Sequence, residues 1–171
     1  MDPNQDSSWA NRGLCFLQVK KYSQAISDLS KAITLNSKNM KALKRLAFVH
    51  LTLGELAEAE MYLKRCLEVE PKEESHKADV KIVRDLITAR DELNKSRFIY
   101  DYKTSEVLGE KLLQKCSEDS KIKLIYLESL LQNCKPEKAL SFIKNKVTDE
   151  EMRKEEFHYL QCQAYYHDGK L

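Results

Sequence analysis

The sequence predicts an all-α protein: a right-handed superhelical solenoid of about nine helices, paired as antiparallel hairpins. The composition is the first observation, because 171 residues contain only 4 Gly and 3 Pro, too few turn residues for an all-β fold. The chain also matches itself at a fixed offset, and apolar residues recur every three or four positions along most of its length. A single hairpin cannot bury its apolar face alone, so the hairpins are expected to stack.

The internal repeat has a period of 34 residues. Residues 20–39 superpose on residues 54–73 without a gap, so that Ala25 falls on Ala59, an offset of 59 − 25 = 34. Together with Trp9 and Gly13, this spacing resembles the tetratricopeptide repeat, which is a pair of antiparallel helices, although Arg12 stands where Leu is usual.

Small residues are expected where two such helices cross closely. They are Gly13 or Ala47 on the first helix of a repeat and Ala25 or Ala59 on the second.

The helices are expected near 6–19, 22–35, 39–53 and 56–69, followed by one long helix from Ser75 to about Ile99. The apolar face predicted for the long helix consists of Ala78, Ile82, Leu86, Ala89 and Leu93. After three further helices, a capping box of Thr148 and Glu151 is expected to open a final helix that runs to about His167.

We interpret residues 1–171 as a single solenoid truncated at both ends. The segments are 1–5, the tail of a preceding repeat; 6–39 and 40–73, two repeats; 74–118, an irregular repeat with a long first helix; 119–148, a repeat; and 149–171, the first helix of a truncated repeat. Counting back 34 residues from Pro71 gives Ser37 and then Pro3, which indicates the tail of an earlier unit. A natural capping arrangement is the alternative.

The charges and the chemistry-bearing residues exclude several functional classes. With 29 basic and 27 acidic residues, no global charge points to nucleic acid or to a membrane surface. Five scattered Cys without a CxxC motif favour reduced packing residues in a cytoplasmic protein. Four isolated His and no Gly-rich loop predict no enzyme, no metal and no cofactor. The acids of TDEEMRKEE are expected to face solvent at a helix start.

The first helices of the repeats are expected to line a concave face of the kind that binds extended peptides. On the second of them, Lys41, Lys44 and Arg45 make a basic stripe. Lys41 and Arg45 are four residues apart and therefore repel each other on one face, a cost that an anionic partner would offset. A solvated basic face is the alternative interpretation.

The segments SWANRG and KNMKALKRLAFVHLTLGELAEAE resemble the second and third repeats of carboxylate-clamp tetratricopeptide co-chaperones. In that family the clamp holds the C-terminal Glu-Glu-Val-Asp tail of cytosolic seventy- and ninety-kilodalton heat-shock chaperones. The resemblance implies that Asn11, Lys41 and Arg45 bind the peptide carboxylates. The family's other two clamp residues, a Lys and an Asn, belong to a repeat that would precede Pro3.

Lys44, Leu14 and Phe48 are possible additional groove contacts: Lys44 for an anion and Phe48 as a seat for the Val of the tail. The layout from Ser75 onward resembles the repeat array of co-chaperones that contain a J domain (DnaJ subfamily C), but these residues hold no His-Pro-Asp motif. The alternatives are a generic assembly scaffold without a functional clamp, and a spacer inside a larger enzyme or J-protein. Uncapped ends are expected to favour self-association.

Overall fold

The computed structural model describes residues 5–169, and within them the chain forms ten α-helices and no strand. The helices are α1 (Gln5–Gln18), α2 (Tyr22–Leu35), α3 (Met40–Thr52), α4 (Leu56–Val69), α5 (Glu74–Phe98), α6 (Tyr102–Leu113), α7 (Ser120–Gln132), α8 (Pro136–Lys146), α9 (Asp149–Met152) and α10 (Glu155–His167). The predicted all-α class is therefore confirmed. The predicted tail at 1–5 lies outside the described residues except for Gln5, the first residue of α1.

The 34-residue period is visible in the backbone of both halves of the chain. A residue with positive φ follows α1, α3, α5, α7 and α10; these residues are Lys20, Gly54, Tyr100, Cys134 and Gly169. The spacing is 54 − 20 = 34 in the first half and 134 − 100 = 34 in the second. Each is the left-handed residue that commonly ends a helix, so the long α5 does not disturb the turn geometry of the following hairpin.

The helices fall into two compact units: unit 1 ends at Ile87 and unit 2 begins at Thr88, within α5. In unit 1, α1 packs on α2 and α3 on α4, and its core includes Ala10, Leu29, Ala32, Ala42, Leu46 and Val49. A Cβ at Gly13 would lie 2.8 Å from Cγ of Leu29, which confirms the predicted close contact between the first two helices.

Unit 2 is built around α7, which packs on α6, α8 and α10. Its core consists of Tyr126, Leu127, Leu130, Leu131, Ala139, Ile143, Phe157 and Ala164. Gly109 of α6 provides the close approach here, since a Cβ on it would lie 3.2 Å from Cβ of Tyr126. The repeat boundaries predicted from residue 74 onward, and the union of all repeats into one array, stay predictions.

The long helix is confirmed, but its predicted apolar face is wrong in the N-terminal half. Leu86, Ala89 and Leu93 are buried as expected. Ala78 is exposed and Ile82 is 43% exposed, whereas Val80 and Val83 are buried and His76 is fully buried. The buried stripe runs through His76, a polar residue that a hydrophobicity pattern skips.

The prediction of one final helix is also wrong, because this segment forms two helices. The capping box exists: the Glu151 amide donates to Thr148 Oγ1 at 3.2 Å, and the Thr148 amide donates to Glu151 Oε2 at 3.0 Å. It opens only the four-residue α9, and α10 starts at Glu155. The Glu151 carboxylate also binds Nζ of Lys123 at 2.9 Å, so a contact to α7 fixes the short helix separately.

Among the described residues, none of the helices combines the length and the hydrophobicity that a membrane crossing requires.

Candidate functional site

The start of α3 is fixed by side chains that also anchor it to α1. Asn39 caps α3, its Oδ1 accepting from the Ala42 amide at 3.0 Å. Its Nδ2 donates to Asp6 in the first turn of α1 at 2.9 Å, and Nδ2 of Asn36 donates to the same carboxylate oxygen at 2.9 Å. These bonds help hold the pKa of Asp6 below its usual value, that from Asn36 being the largest cause. The beginnings of α1 and α3 are therefore held in register.

Arg45 connects α1 and α3 at the predicted site. Its Nη1 donates to the backbone carbonyl of Ala10 at 2.6 Å, and Ala10 precedes Asn11 on α1. Arg45 as a whole is half-buried, and its guanidinium lies at the turn of α1 that carries Asn11. The structure thus brings one predicted cation to the backbone beside the predicted amide.

Lys41 and Asn11 are exposed, and Lys41 lies one turn before Arg45 on α3. Within residues 5–169, neither the Lys41 ammonium nor the Asn11 amide takes part in a hydrogen bond or an ion pair. Their donors face water in the free protein, so an incoming carboxylate would have no internal acid to displace.

The additional predicted contacts lie around this pair of helices. Leu14 is half-buried one turn after Asn11, and Phe48 is 59% exposed one turn after Arg45. Lys44 is exposed and lies close enough to Glu73 to contribute to its lowered pKa, whose main cause is hydrogen bonding to Ser75. Since an α-helix turns about 100° per residue, Lys44 projects about 100° around the helix axis from Arg45 and about 60° from Lys41.

Arg12, the departure from the usual repeat pattern, has a structural partner that the sequence analysis missed. Its Nη2 donates to Oδ1 of the buried Asp28 at 2.8 Å, and the guanidinium lies 4.5 Å from the centroid of the Trp9 ring. The hydrogen bonds from Arg12 hold the pKa of Asp28 below its usual value. The available signal was Asp28 itself, an acid among the apolar positions of α2.

Unit 2 holds two buried carboxylates that are paired with lysines. Glu151 is buried rather than solvent-facing, which corrects the expectation for the TDEEMRKEE acids, and it binds Lys123, whose side chain is 1% exposed. Glu106 accepts from Lys135 at 2.7 Å and from Lys138 at 3.2 Å. Burial would raise the pKa of Glu106, but the hydrogen bonds it accepts outweigh burial and hold the pKa below its usual value.

No described cluster of three or more His, Cys, Asp or Glu residues has the arrangement of a metal site. The five cysteines are unpaired in the part of the chain that the structure covers, and Cys66 and Cys116 are buried packing residues whose thiol pKa burial raises to about 11. His50 is buried, stacks on Tyr62 at 5.3 Å and bonds Glu55, so it belongs to the core.

Comparison with known proteins identifies the repeats. A tetratricopeptide repeat matches residues 7–39 and a second matches residues 41–73. The crystal structure of the P58(IPK) TPR domain superposes with a TM-score of 0.79 at 24% identity, covering 98% of this chain and 47% of that one. The all-α tetratricopeptide solenoid predicted from the sequence is confirmed.

Two curated relatives show in which kinds of protein such repeats occur. The Hsp70/Hsp90 co-chaperone CNS1 of Saccharomyces cerevisiae is 43% identical over 54 residues, which are 32% of this chain and 14% of that protein. The BBSome complex member BBS4 of Mus musculus is 39% identical over 70 residues, which are 41% of this chain and 14% of that protein. The chain spans between 7% and 14% of the length of the curated relatives it matches. Its fold and repeats are those of a tetratricopeptide protein-interaction scaffold.

Proposed function

We propose that unit 1 docks the acidic C-terminal tail of cytosolic heat-shock chaperones of the seventy- and ninety-kilodalton classes. Asn11, Lys41 and Arg45 bind the tail's carboxylates, and Leu14 and Phe48 contact its apolar side chain. Lys44, exposed on α3 three residues after Lys41, adds longer-range attraction for the acids that precede the tail. The observation that carries the proposal is the 2.6 Å bond from Arg45 to the Ala10 carbonyl, beside Asn11.

The chemistry of these side chains fits a terminal carboxylate. An ionised carboxylate accepts up to four hydrogen bonds. Arg45 and Lys41 can donate charge-assisted hydrogen bonds to it, and the Asn11 amide can donate a neutral one. Arg45 uses one N–H on Ala10 and retains others for a ligand, because a guanidinium has five donors. The similarity to a Hsp70/Hsp90 co-chaperone supports an acidic chaperone tail as the occupant.

The expected affinity is low. Each charge-assisted bond contributes roughly 1.5 to 3 kcal/mol, and residues 1–171 tested on their own supply three of the five clamp residues of the resembled family. A dissociation constant of roughly 0.1 to 1 mM is therefore expected.

The test is a titration of a fluorescent peptide that ends in Glu-Glu-Val-Asp, compared with the same peptide carrying a C-terminal amide. The free acid should bind at least about tenfold more tightly, since the amide removes one anionic fork. Equal binding of the two peptides would show that no clamp operates.

Lys41→Ala is the cleanest variant, because Lys41 is exposed and its side chain takes part in no hydrogen bond or ion pair among the described residues. It should weaken the free-acid peptide about tenfold, whereas Lys72→Ala, which removes an exposed lysine from the turn before α5, should leave binding unchanged. Arg45→Lys is preferable to Arg45→Ala, since it keeps a donor for the Ala10 carbonyl.

A second candidate function is a generic assembly scaffold that holds another protein segment. The similarity to the BBSome complex member BBS4 favours it, because repeats of this kind also occur in a protein named for its complex rather than for chaperones. Under this alternative the basic residues are incidental, and partner binding would be insensitive to both Lys41→Ala and Arg45→Lys.

A further inference from the structure

Unit 2 contains a groove that the clamp proposal does not use. Two adjoining hollows lie between the C-terminal half of α5 and α7, with cavity volumes of about 410 Å³ and about 560 Å³. They share Asn94 and Arg97 and so form one continuous surface, called here the second groove.

One end of the second groove is basic. Arg90 lines its α5 wall and Lys121 lines the α7 wall at the start of that helix, and Arg97 lies where the two hollows meet. Two acids also line the groove: Asp119 caps α7 by accepting from the Lys121 and Ile122 amides, and Glu128, in the larger hollow, pairs with Arg97 at 3.0 Å. The lining thus holds three cations and two carboxylates, and the exposed Lys121 ammonium has no internal partner in the described chain.

The other end of the second groove is aromatic and exposed. Phe98 is 83% exposed and Tyr100 is 75% exposed, and both line the larger hollow together with Tyr102. Between the two ends the wall is apolar, formed by the buried Leu93 and Ile122 and the half-buried Leu124. A free protein gains nothing from large aromatic side chains held in water, so a covering ligand would bury them favourably.

We propose that the second groove binds an extended internal peptide segment in which two acidic residues are followed, after one spacer residue, by an aromatic residue. The acids meet Lys121, Arg90 and Arg97, and the aromatic ring covers Phe98 and Tyr100. The seven steps from Lys121 to Glu128 rise about 10 Å along α7, which matches three steps of extended chain at about 3.3 Å each. A terminal carboxylate is not required, so this site is independent of the clamp in unit 1.

The probe is a fluorescein-labelled peptide containing Asp-Asp-Gly-Phe, with its C-terminus blocked as an amide, titrated against the full chain. Matched peptides carry Asn-Asn-Gly-Phe or Asp-Asp-Gly-Ala. The Asp-Asp-Gly-Phe peptide should bind about tenfold more tightly than either, because each control removes one of the two kinds of contact.

Two surface variants assign the contacts without touching the core. Lys121→Ala should weaken the acidic peptides about tenfold and leave the Asn-Asn-Gly-Phe peptide unchanged. Phe98→Ala should weaken both peptides that contain Phe and leave Asp-Asp-Gly-Ala unchanged. The matched controls are Lys95→Ala on α5 and Val107→Ala on α6, exposed residues outside the groove lining that should have no effect.

Absence of saturable binding at a peptide concentration of about 1 mM would overturn the proposal, as would equal binding of all three peptides or insensitivity to both groove variants. Lys41→Ala should leave the binding unchanged. Peptide binding in the second groove is therefore tested independently of the clamp. If unit 1 failed to recognise a terminal carboxylate, none of these results would change.

Discussion

Units 1 and 2 both place lysines on the first helix of a hairpin, but the two units use them differently. Lys41 of unit 1 is exposed and has no internal partner in the described chain, whereas Lys123 of unit 2 is 1% exposed and bound to Glu151. The difference lies in whether a carboxylate from another helix reaches the lysine. A basic helix stripe therefore indicates a ligand site only where the rest of the fold leaves it unpaired.

The largest effect expected from this contrast is on stability. Glu151→Ala should lower the free energy of unfolding by about 3 to 5 kcal/mol, because it leaves the buried Lys123 with only a 3.5 Å contact to Glu118. Lys41→Ala should change it by less than about 0.5 kcal/mol. Urea unfolding followed by circular dichroism measures both. Glu150→Ala, which removes the exposed neighbouring carboxylate, is the control. A Glu151→Ala variant as stable as the control would remove the distinction between the two units.

The helix crossing at Gly13 in unit 1 is tighter than the crossing at Gly109 in unit 2. Alanine substitutions at the two glycines test this difference. Gly13→Ala should destabilise by about 1 to 3 kcal/mol, because the new Cβ would lie 2.8 Å from the fully buried Leu29. Gly109→Ala, 3.2 Å from Tyr126, should cost less, since a small shift and the better helix propensity of Ala compensate. Thermal unfolding of the two variants ranks them. The reverse ranking would mean that α6 and α7 are the more tightly packed pair.

The stability of unit 2 should fall at acidic pH because its buried carboxylates become protonated there. The pKa of Glu106 is lowered in the folded protein, so its stabilisation is present above the ordinary carboxyl value of 4.5 and is lost as pH falls through the folded value. Glu106→Gln should cost about 1.5 kcal/mol at neutral pH and flatten the loss of stability as the pH falls below the ordinary carboxyl value of 4.5. Glu110→Gln, a 56% exposed acid near the same Lys138, should leave the slope unchanged. An unaltered slope in Glu106→Gln would place the acid sensitivity elsewhere.

The smallest effects concern the turn residues that the two units share. Lys20 and Cys134 have φ angles of 56° and 55°, a conformation that costs a side-chain-bearing residue about 1 kcal/mol. Lys20→Gly and Cys134→Gly should each stabilise the folded protein by roughly 0.5 kcal/mol, because the entropic cost of Gly offsets part of the relieved strain. Gly54→Ala should destabilise it by about 1 kcal/mol. Thermal unfolding midpoints give the comparison. A loss of stability in both Gly variants would contradict the equivalence of the turns.

Helix positions could be predicted from the sequence because the signals are local. Periodic apolar residues give α1 to α4 within two residues at each end, and Gly13 marks a close crossing. The pairing of Lys123 with Glu151 could not be predicted, because the partners are 28 residues apart and each looks like an ordinary surface charge. The same long-range contact explains why the break between α9 and α10 was missed.

The candidate site was predictable in residue type but not in geometry. The identities of Asn11, Lys41 and Arg45 follow from a resemblance between short motifs, and spacing alone puts Lys41 and Arg45 on one face. The bond from Arg45 to the Ala10 carbonyl depends on how α1 and α3 pack, and that packing is set in part by Asp6 and the α3 cap. No sequence pattern encodes such a side-chain-to-backbone contact between hairpins.

The most direct test of terminal-carboxylate recognition is a double-mutant cycle between Lys41 and the terminus of the peptide. Affinities are measured for wild type and Lys41→Ala, each with the Glu-Glu-Val-Asp peptide as free acid and as amide. We predict a coupling of at least about 1 kcal/mol, with the preference for the free acid falling about fivefold or more in the variant. A coupling of about zero, with Lys41→Ala weakening both peptides equally or neither, would contradict a clamp built on Asn11, Lys41 and Arg45.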